Sequence, residues 1–177
     1  MKILLSDTSV LLNLLAGECL QELSHSLDVQ FVVCSAVYSE TQRLRDPSTG
    51  EMVPVDLAAL VSAGLLQVVE ISSEEEAAGY LAEATVVDDG EAMSIALAAA
   101  RHLDLAIDDR RATNHVKRKF PELKLWTTPE LLEAWTTRDA IERDRVTSVL
   151  GLIEARARYS PSSKHPLFAW WSAKLGR

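Results

Sequence analysis

A three-layer α/β/α domain with a central parallel sheet of about five strands, followed by an α-helical C-terminal extension, is predicted by three observations. Short runs rich in Val, Ile and Leu recur up to Trp126, helix-like patterns fill the gaps between them, and carboxylates stand where several runs end. Strands buried on both faces read as near-continuous apolar runs, and their alternation with helices is the pattern of a parallel sheet covered on both sides.

Taken in order, the strand-like runs fall at 2–6, 30–35, 66–71, 105–108 and, more weakly, 123–126. Helical spacing of apolar residues covers 10–15, 20–27, 36–45, 57–63, 74–83, 91–102 and 110–120. The Ala-rich stretch from Ala92 to Ala100 suits a helix lying close on a sheet, because small side chains permit a short interaxial distance. Ser73 followed by Glu76, and Thr128 before Pro129, are helix-start signals. The turn-rich segment 46–54 reads as a connection between helices. Beyond residue 128 the pattern changes: 129–135 and 139–158 read as helices with no strand between them. Ser and Pro in 160–166 then break the chain before the apolar tail 167–171. The expected organisation is a sheet domain over 1–127 and a helical extension over 128–177 packed on it.

With 177 residues, 47% of them hydrophobic, the chain can bury one good core. No apolar run approaches the ~20 residues that span a bilayer, and the N-terminus does not read as a signal peptide. Cys19 and Cys34 are too few for a disulfide framework and read as small buried hydrophobes. A cytoplasmic protein without a membrane association is the expectation. The net charge of −8 is unevenly spread: residues 1–100 hold 3 Lys/Arg against 16 Asp/Glu, whereas 101–177 hold 15 against 10. Such asymmetry directs the search for a polyanionic partner to the second half, although helices that differ only in surface charge would give the same numbers.

Four carboxylates carry the chemistry. Asp7 closes the run Ile3-Leu4-Leu5, Asp108 closes Leu105-Ala106-Ile107, Glu40 follows Phe31-Val32-Val33, and Glu91 opens the Ala-rich helix. In an open parallel sheet the carboxyl ends of the strands collect at one edge, where ligands bind. Acids gathered there repel one another unless a cation lies between them, and all-oxygen ligands suit Mg²⁺ or Mn²⁺. Each acid also has a plainer reading: Asp7 and Asp108-Asp109 as helix caps, Glu91 in a capping box with Asp88, Glu40 as a solvated helix residue. Asp7 could instead be a phosphatase nucleophile, but such enzymes would want a second Asp where Ser9 stands.

The order of these pieces resembles the PIN-domain nucleases, which include the toxin ribonucleases of toxin–antitoxin pairs. The matching segments are Leu4-Leu5-Ser6-Asp7-Thr8-Ser9, Val37-Tyr38-Ser39-Glu40, Asp89-Gly90-Glu91-Ala92-Met93-Ser94-Ile95-Ala96-Leu97-Ala98 and Leu105-Ala106-Ile107-Asp108-Asp109. The resemblance implies a PIN-like parallel sheet, an Mg²⁺- or Mn²⁺-dependent acidic site and hydrolysis of phosphodiester bonds, usually of RNA. It maps the catalytic and metal-binding acids onto Asp7, Glu40, Glu91 and Asp108, with Ser9 supporting the first. Asp109 is an additional ligand or a neighbouring support. Two departures stand out: Glu91 occupies a position where Asp is common, and Ala106 stands where many members have Thr.

Arg110, Arg111, Lys117 and Arg118 follow the fourth acid and offer phosphate contacts, with Arg110, Asn114 and Lys117 on one helix face. A solvated helix face is the competing reading. Leu167, Phe168, Trp170 and Trp171 read first as a tail packed back on the domain, then as a homodimer or partner surface. His25, His102, His115 and His165 show no metal-ligand spacing. The leading expectation is an RNA-cleaving enzyme, the toxin of a pair with an antitoxin partner. The competitor from a different class is a non-catalytic PIN-like module that binds RNA or protein.

Overall fold

The computed structural model describes residues 1–41 and 43–177. Five parallel strands form the sheet in the order β5-β2-β1-β6-β7, where β1 is Lys2–Ser6, β2 Val29–Cys34, β5 Leu66–Val69, β6 Asp104–Ala106 and β7 Leu125–Trp126. The chain first builds outward from β1 to β2 and β5, then returns to place β6 on the other side of β1. The reversal makes the crevice above β1 and β6 the topological switch point, the default ligand position in such sheets.

The buried runs explain the strands. Leu4, Leu5, Phe31, Val32, Val33, Leu66, Leu105 and Ala106 are all within a few per cent of full burial. Helix α6 (Asp89–Arg101) lies against β1, β2 and β6. Ala92, Ile95 and Ala98 belong to its core-packed side, where the small alanines suit a close approach to the sheet, while Ala96 meets Gly79 of a neighbouring helix. Helix α5 (Glu74–Glu83) packs on α6, and α3 (Ser35–Glu40) joins that layer. On the other side α1 (Thr8–Ala16), α2 (Leu20–Leu27) and α8 (Thr128–Arg138) contact one another or the sheet. The remaining helix before β6, α4 (Leu57–Ser62), leads into β5, and α7 (Arg110–Lys119) follows β6.

Beyond α8, α9 (Arg143–Leu152) runs into a π-helical turn, Ile153–Ala157, that lies on α1. Gly17 makes this approach possible, since a Cβ there would stand 3.0 Å from Val149 Cγ1 and 3.1 Å from Ile153 Cγ1. The last helix, α10 (Phe168–Lys174), buries Trp171, whose indole N–H donates to Glu154 at 3.0 Å. Trp171 thus packs back on the chain, whereas Phe168 stays exposed. Cys19 and Cys34 are free and buried, and burial pushes the Cys19 thiol up to about 12. Among the described residues no helix is long and apolar enough to cross a membrane.

The helix read over 139–158 begins at Arg143, the apolar tail forms a helix, and the stretch 36–54 departs furthest from the sequence reading. In place of a helix over 36–45 and a bare loop after it, α3 stops at Glu40, and β3 (Arg43–Arg45) pairs antiparallel with β4 (Met52–Pro54). Asp46 turns the chain by accepting from the backbone of Ser48 (2.8 Å) and Thr49 (3.2 Å), and Gly50 takes φ +76°. A polar turn with a glycine in the left-handed region is hairpin chemistry. The helical count over 36–45 failed because Leu44 is buried from a strand.

Candidate active site at the sheet edge

Asp7 stands at the end of the central strand, 2% exposed. Its backbone N–H bonds Ala106 of β6 (2.9 Å), which fixes it at the switch point. Oδ1 accepts from the Val10 N–H at 2.7 Å, so the residue does cap α1. Oδ2 accepts from the Ser9 hydroxyl at 2.7 Å and, at 3.5 Å, from the Asp108 N–H. Burial, and after it the Asp108 charge, pushes the Asp7 carboxyl up to about 7 in spite of these donors. With little exposure and both oxygens engaged, Asp7 is poorly placed as a phosphatase nucleophile.

Glu40 ends α3 and is exposed. Thr8 Oγ1 donates to its Oε2 at 2.8 Å. The carboxylate occupies the slot left by Gly90 at the start of α6, where a Cβ would come within 2.6 Å of Oε2. Glu91 follows on α6, half-buried, and accepts from the Asp88 N–H at 3.4 Å in a capping box. Burial raises its pKa, and the charges of Asp109 and Asp88 add to the effect, while Arg111 opposes it.

The structure separates the two neighbours after β6. Asp108 Oδ1 accepts from the Thr128 N–H (2.9 Å) and the Tyr159 hydroxyl (3.1 Å), and Oδ2 from Asn13 Nδ2 (2.9 Å) and the Thr128 hydroxyl (2.6 Å). A carboxylate offers about four acceptor positions, so its capacity is filled by protein. Burial still raises its pKa. Asp109 is exposed and caps α7, with Oδ1 accepting from Ala112 N–H at 2.7 Å. Among the described residues its Oδ2 has no partner.

Three helices, α1, α6 and α7, begin at this edge, and each brings the positive end of its dipole to the acids. Capping engages one carboxylate oxygen: in Asp109 it leaves the other open, whereas in Asp7 the other accepts from Ser9. Among the described residues no three His, Cys, Asp or Glu side chains converge on one ion position. The acids instead face one another in twos, Asp7 with Asp108 and Glu91 with Asp109.

Sequence reasoning missed the holders of Asp108. Asn13 left a trace, being the one amide within Val10-Leu-Leu-Asn-Leu-Leu15. Tyr159 left none, because its reach depends on the π-helical turn and on Arg158 at φ +56°. Of the predicted basic residues, Arg110 and Lys117 line a cleft beside Asp108, Arg111 lies near Glu91, and Arg118 is exposed on the same helix. His115 bonds buried Glu83 at 2.6 Å, and His165 contacts Thr127 at 3.2 Å.

A family model described as a PIN domain matches residues 3–166. No curated protein and no solved structure matches the chain. PIN domains are generally nucleases that use divalent metals. With the model spanning nearly the whole sequence and an acid edge at the switch point of a five-stranded parallel sheet, the chain belongs to the PIN-domain family.

Proposed function

We propose that the protein is a metal-dependent endoribonuclease that hydrolyses RNA phosphodiester bonds with Mg²⁺ or Mn²⁺ at the acid edge. The observation that carries this reading is the crowding of Asp7. A buried carboxylate forced up to about 7 by desolvation and by a neighbouring Asp is costly in the folded chain, and a bound divalent cation would relieve it. The donors at the edge are all oxygen, which fits a hard cation.

Asp7 would hold the ion through the second lone pair of Oδ2, whose first accepts from Ser9, and the ion would draw in Glu40, Glu91 and Asp109, which do not converge with Asp7 without it. Asp108, filled by four donors, positions Asp7 through its backbone N–H. A bound divalent ion lowers the pKa of water and neutralises phosphate charge. Ser9 and the Val10 N–H orient the Asp7 carboxylate, Thr8 orients Glu40, and Arg110 and Arg111 offer phosphate contacts next to the edge. A role as the toxin of a toxin–antitoxin pair is consistent with this chemistry. A small DNA-binding protein encoded by the adjacent gene would support that role, and its absence would count against it.

The test is incubation of purified protein with single-stranded RNA in Mn²⁺ and in EDTA. Internal cleavage that requires the metal is expected. RNA that stays intact across metals, while still bound, would favour the binding-only module.

A further inference from the structure

We infer that the cleft between α7 and the C-terminal segment 160–166 is the channel that holds single-stranded RNA flanking the scissile phosphate; this rests on the ribonuclease reading above. The cleft measures about 660 Å³ and opens beside Asp108, whose N–H touches Asp7. It therefore begins one residue from the acid edge.

Three cations line it: Arg110 and Lys117 from α7, and Lys164 from the opposite wall. Among the described residues none of the three makes an ion pair. Elsewhere in the basic half six cations have carboxylate partners and, among the described residues, Arg111, Arg118, Arg138, Arg143, Arg158 and Lys174 have none, so the cleft is marked by gathering three cations in one groove rather than by their lack of partners. The two acids in the cleft are committed, Asp108 to its four donors and Glu130 to the Thr127 N–H (2.7 Å) and hydroxyl (2.8 Å). In a chain of net charge −8, three unpaired cations facing one groove are a phosphate-binding feature.

The floor suits the rest of a nucleotide. Leu123, Leu125 and Pro161 give an apolar base, with Asn114 and Thr113 as hydrogen-bonding groups and Tyr159 at the end nearest the acids. Apolar and aromatic surface below a cationic rim is how unpaired strands are held without strong sequence preference. The opposite wall is fixed in place by His165, which contacts the Thr127 hydroxyl at 3.2 Å and accepts from the Leu167 N–H at 3.1 Å.

The test is fluorescence anisotropy with a labelled single-stranded RNA in Ca²⁺, using the full chain and the variants Lys117→Glu and Lys164→Glu. Lys2→Glu, at the opposite end of β1, makes the same charge change and serves as control. Each cleft variant should bind RNA roughly tenfold more weakly at low salt and flatten the slope of log affinity against log salt by about 0.7, while the control binds like the parent. Cleavage by the cleft variants should show a raised KM with kcat largely kept. Unchanged binding in both cleft variants, an equal loss in the control, or equally tight binding of an acidic peptide would overturn the inference. In those cases metal-dependent cleavage by the parent would leave the ribonuclease reading standing. A parent that neither binds nor cuts RNA would overturn both.

Discussion

Asp7 shows how one residue can serve a structural and a chemical role together. Because its folded pKa lies near 7 and its ordinary value near 3.8, the folded chain binds the extra proton between those values. Stability without metal should therefore fall as pH rises from about 4 to about 7, by an amount of the order of a few kcal/mol. Thermal melts in EDTA should show a lower midpoint at pH 8 than at pH 5, Asp7→Asn should shrink that difference to the part that Asp108 and Glu91 contribute, and Mn²⁺ should restore the parent at pH 8. Gly90 gives a second test at this scale. In Gly90→Ala the new Cβ meets the flexible end of Glu40, which can swing away, and stands 3.2 Å from Cγ2 of buried Val37, a tight contact that offsets the roughly 0.5–1 kcal/mol by which Ala favours the helix. Melting should be close to that of the parent while the metal-dependent cleavage rate drops at least several-fold. A variant as active as the parent would remove Glu40 from the site.

Among the elements, α5 and α6 are tied by a pair of charges outside the proposed site. Arg101 of α6 donates to buried Glu76 of α5 through Nε (2.6 Å) and NH2 (3.0 Å), holding its carboxyl down at about 2. A carboxylate with a lowered folded pKa contributes stability above about 4.5 and loses it as pH falls toward 2. Arg101→Met should cost roughly 3 kcal/mol at neutral pH and flatten the acid limb of the melting curve. The elements themselves were largely legible in the sequence because the β1, β2, β5 and β6 runs are apolar on both faces. The β3–β4 hairpin was not, since three-residue strands are too short for period to declare itself and Leu44 counted equally well toward a helix.

For the whole molecule, the extension beyond α8 reaches the acid edge. Trp171 packs edge-on against Tyr159 (ring centroids 5.9 Å apart), Tyr159 bonds Asp108, and the Asp108 N–H touches Asp7. Trp171→Ala should cost about 3–5 kcal/mol from the buried cavity and should lower cleavage even at temperatures where the variant is folded. The sequence pointed to the acids at strand ends and to the basic face of α7, because both lie within contiguous motifs. It could not separate Asp108 from Asp109, since that distinction is made by Asn13, Thr128 and Tyr159, contributed from three distant parts of the chain.

Everything proposed for this molecule turns on the acid edge cutting RNA with a divalent ion. The most direct measurement compares the parent and Asp7→Asn on the same single-stranded RNA under saturating Mn²⁺, with circular dichroism establishing that both are folded. Metal-dependent internal cleavage by the parent and a loss of at least about 100-fold in the variant are expected. Cleavage by the folded variant at the parent's rate would contradict that chemistry.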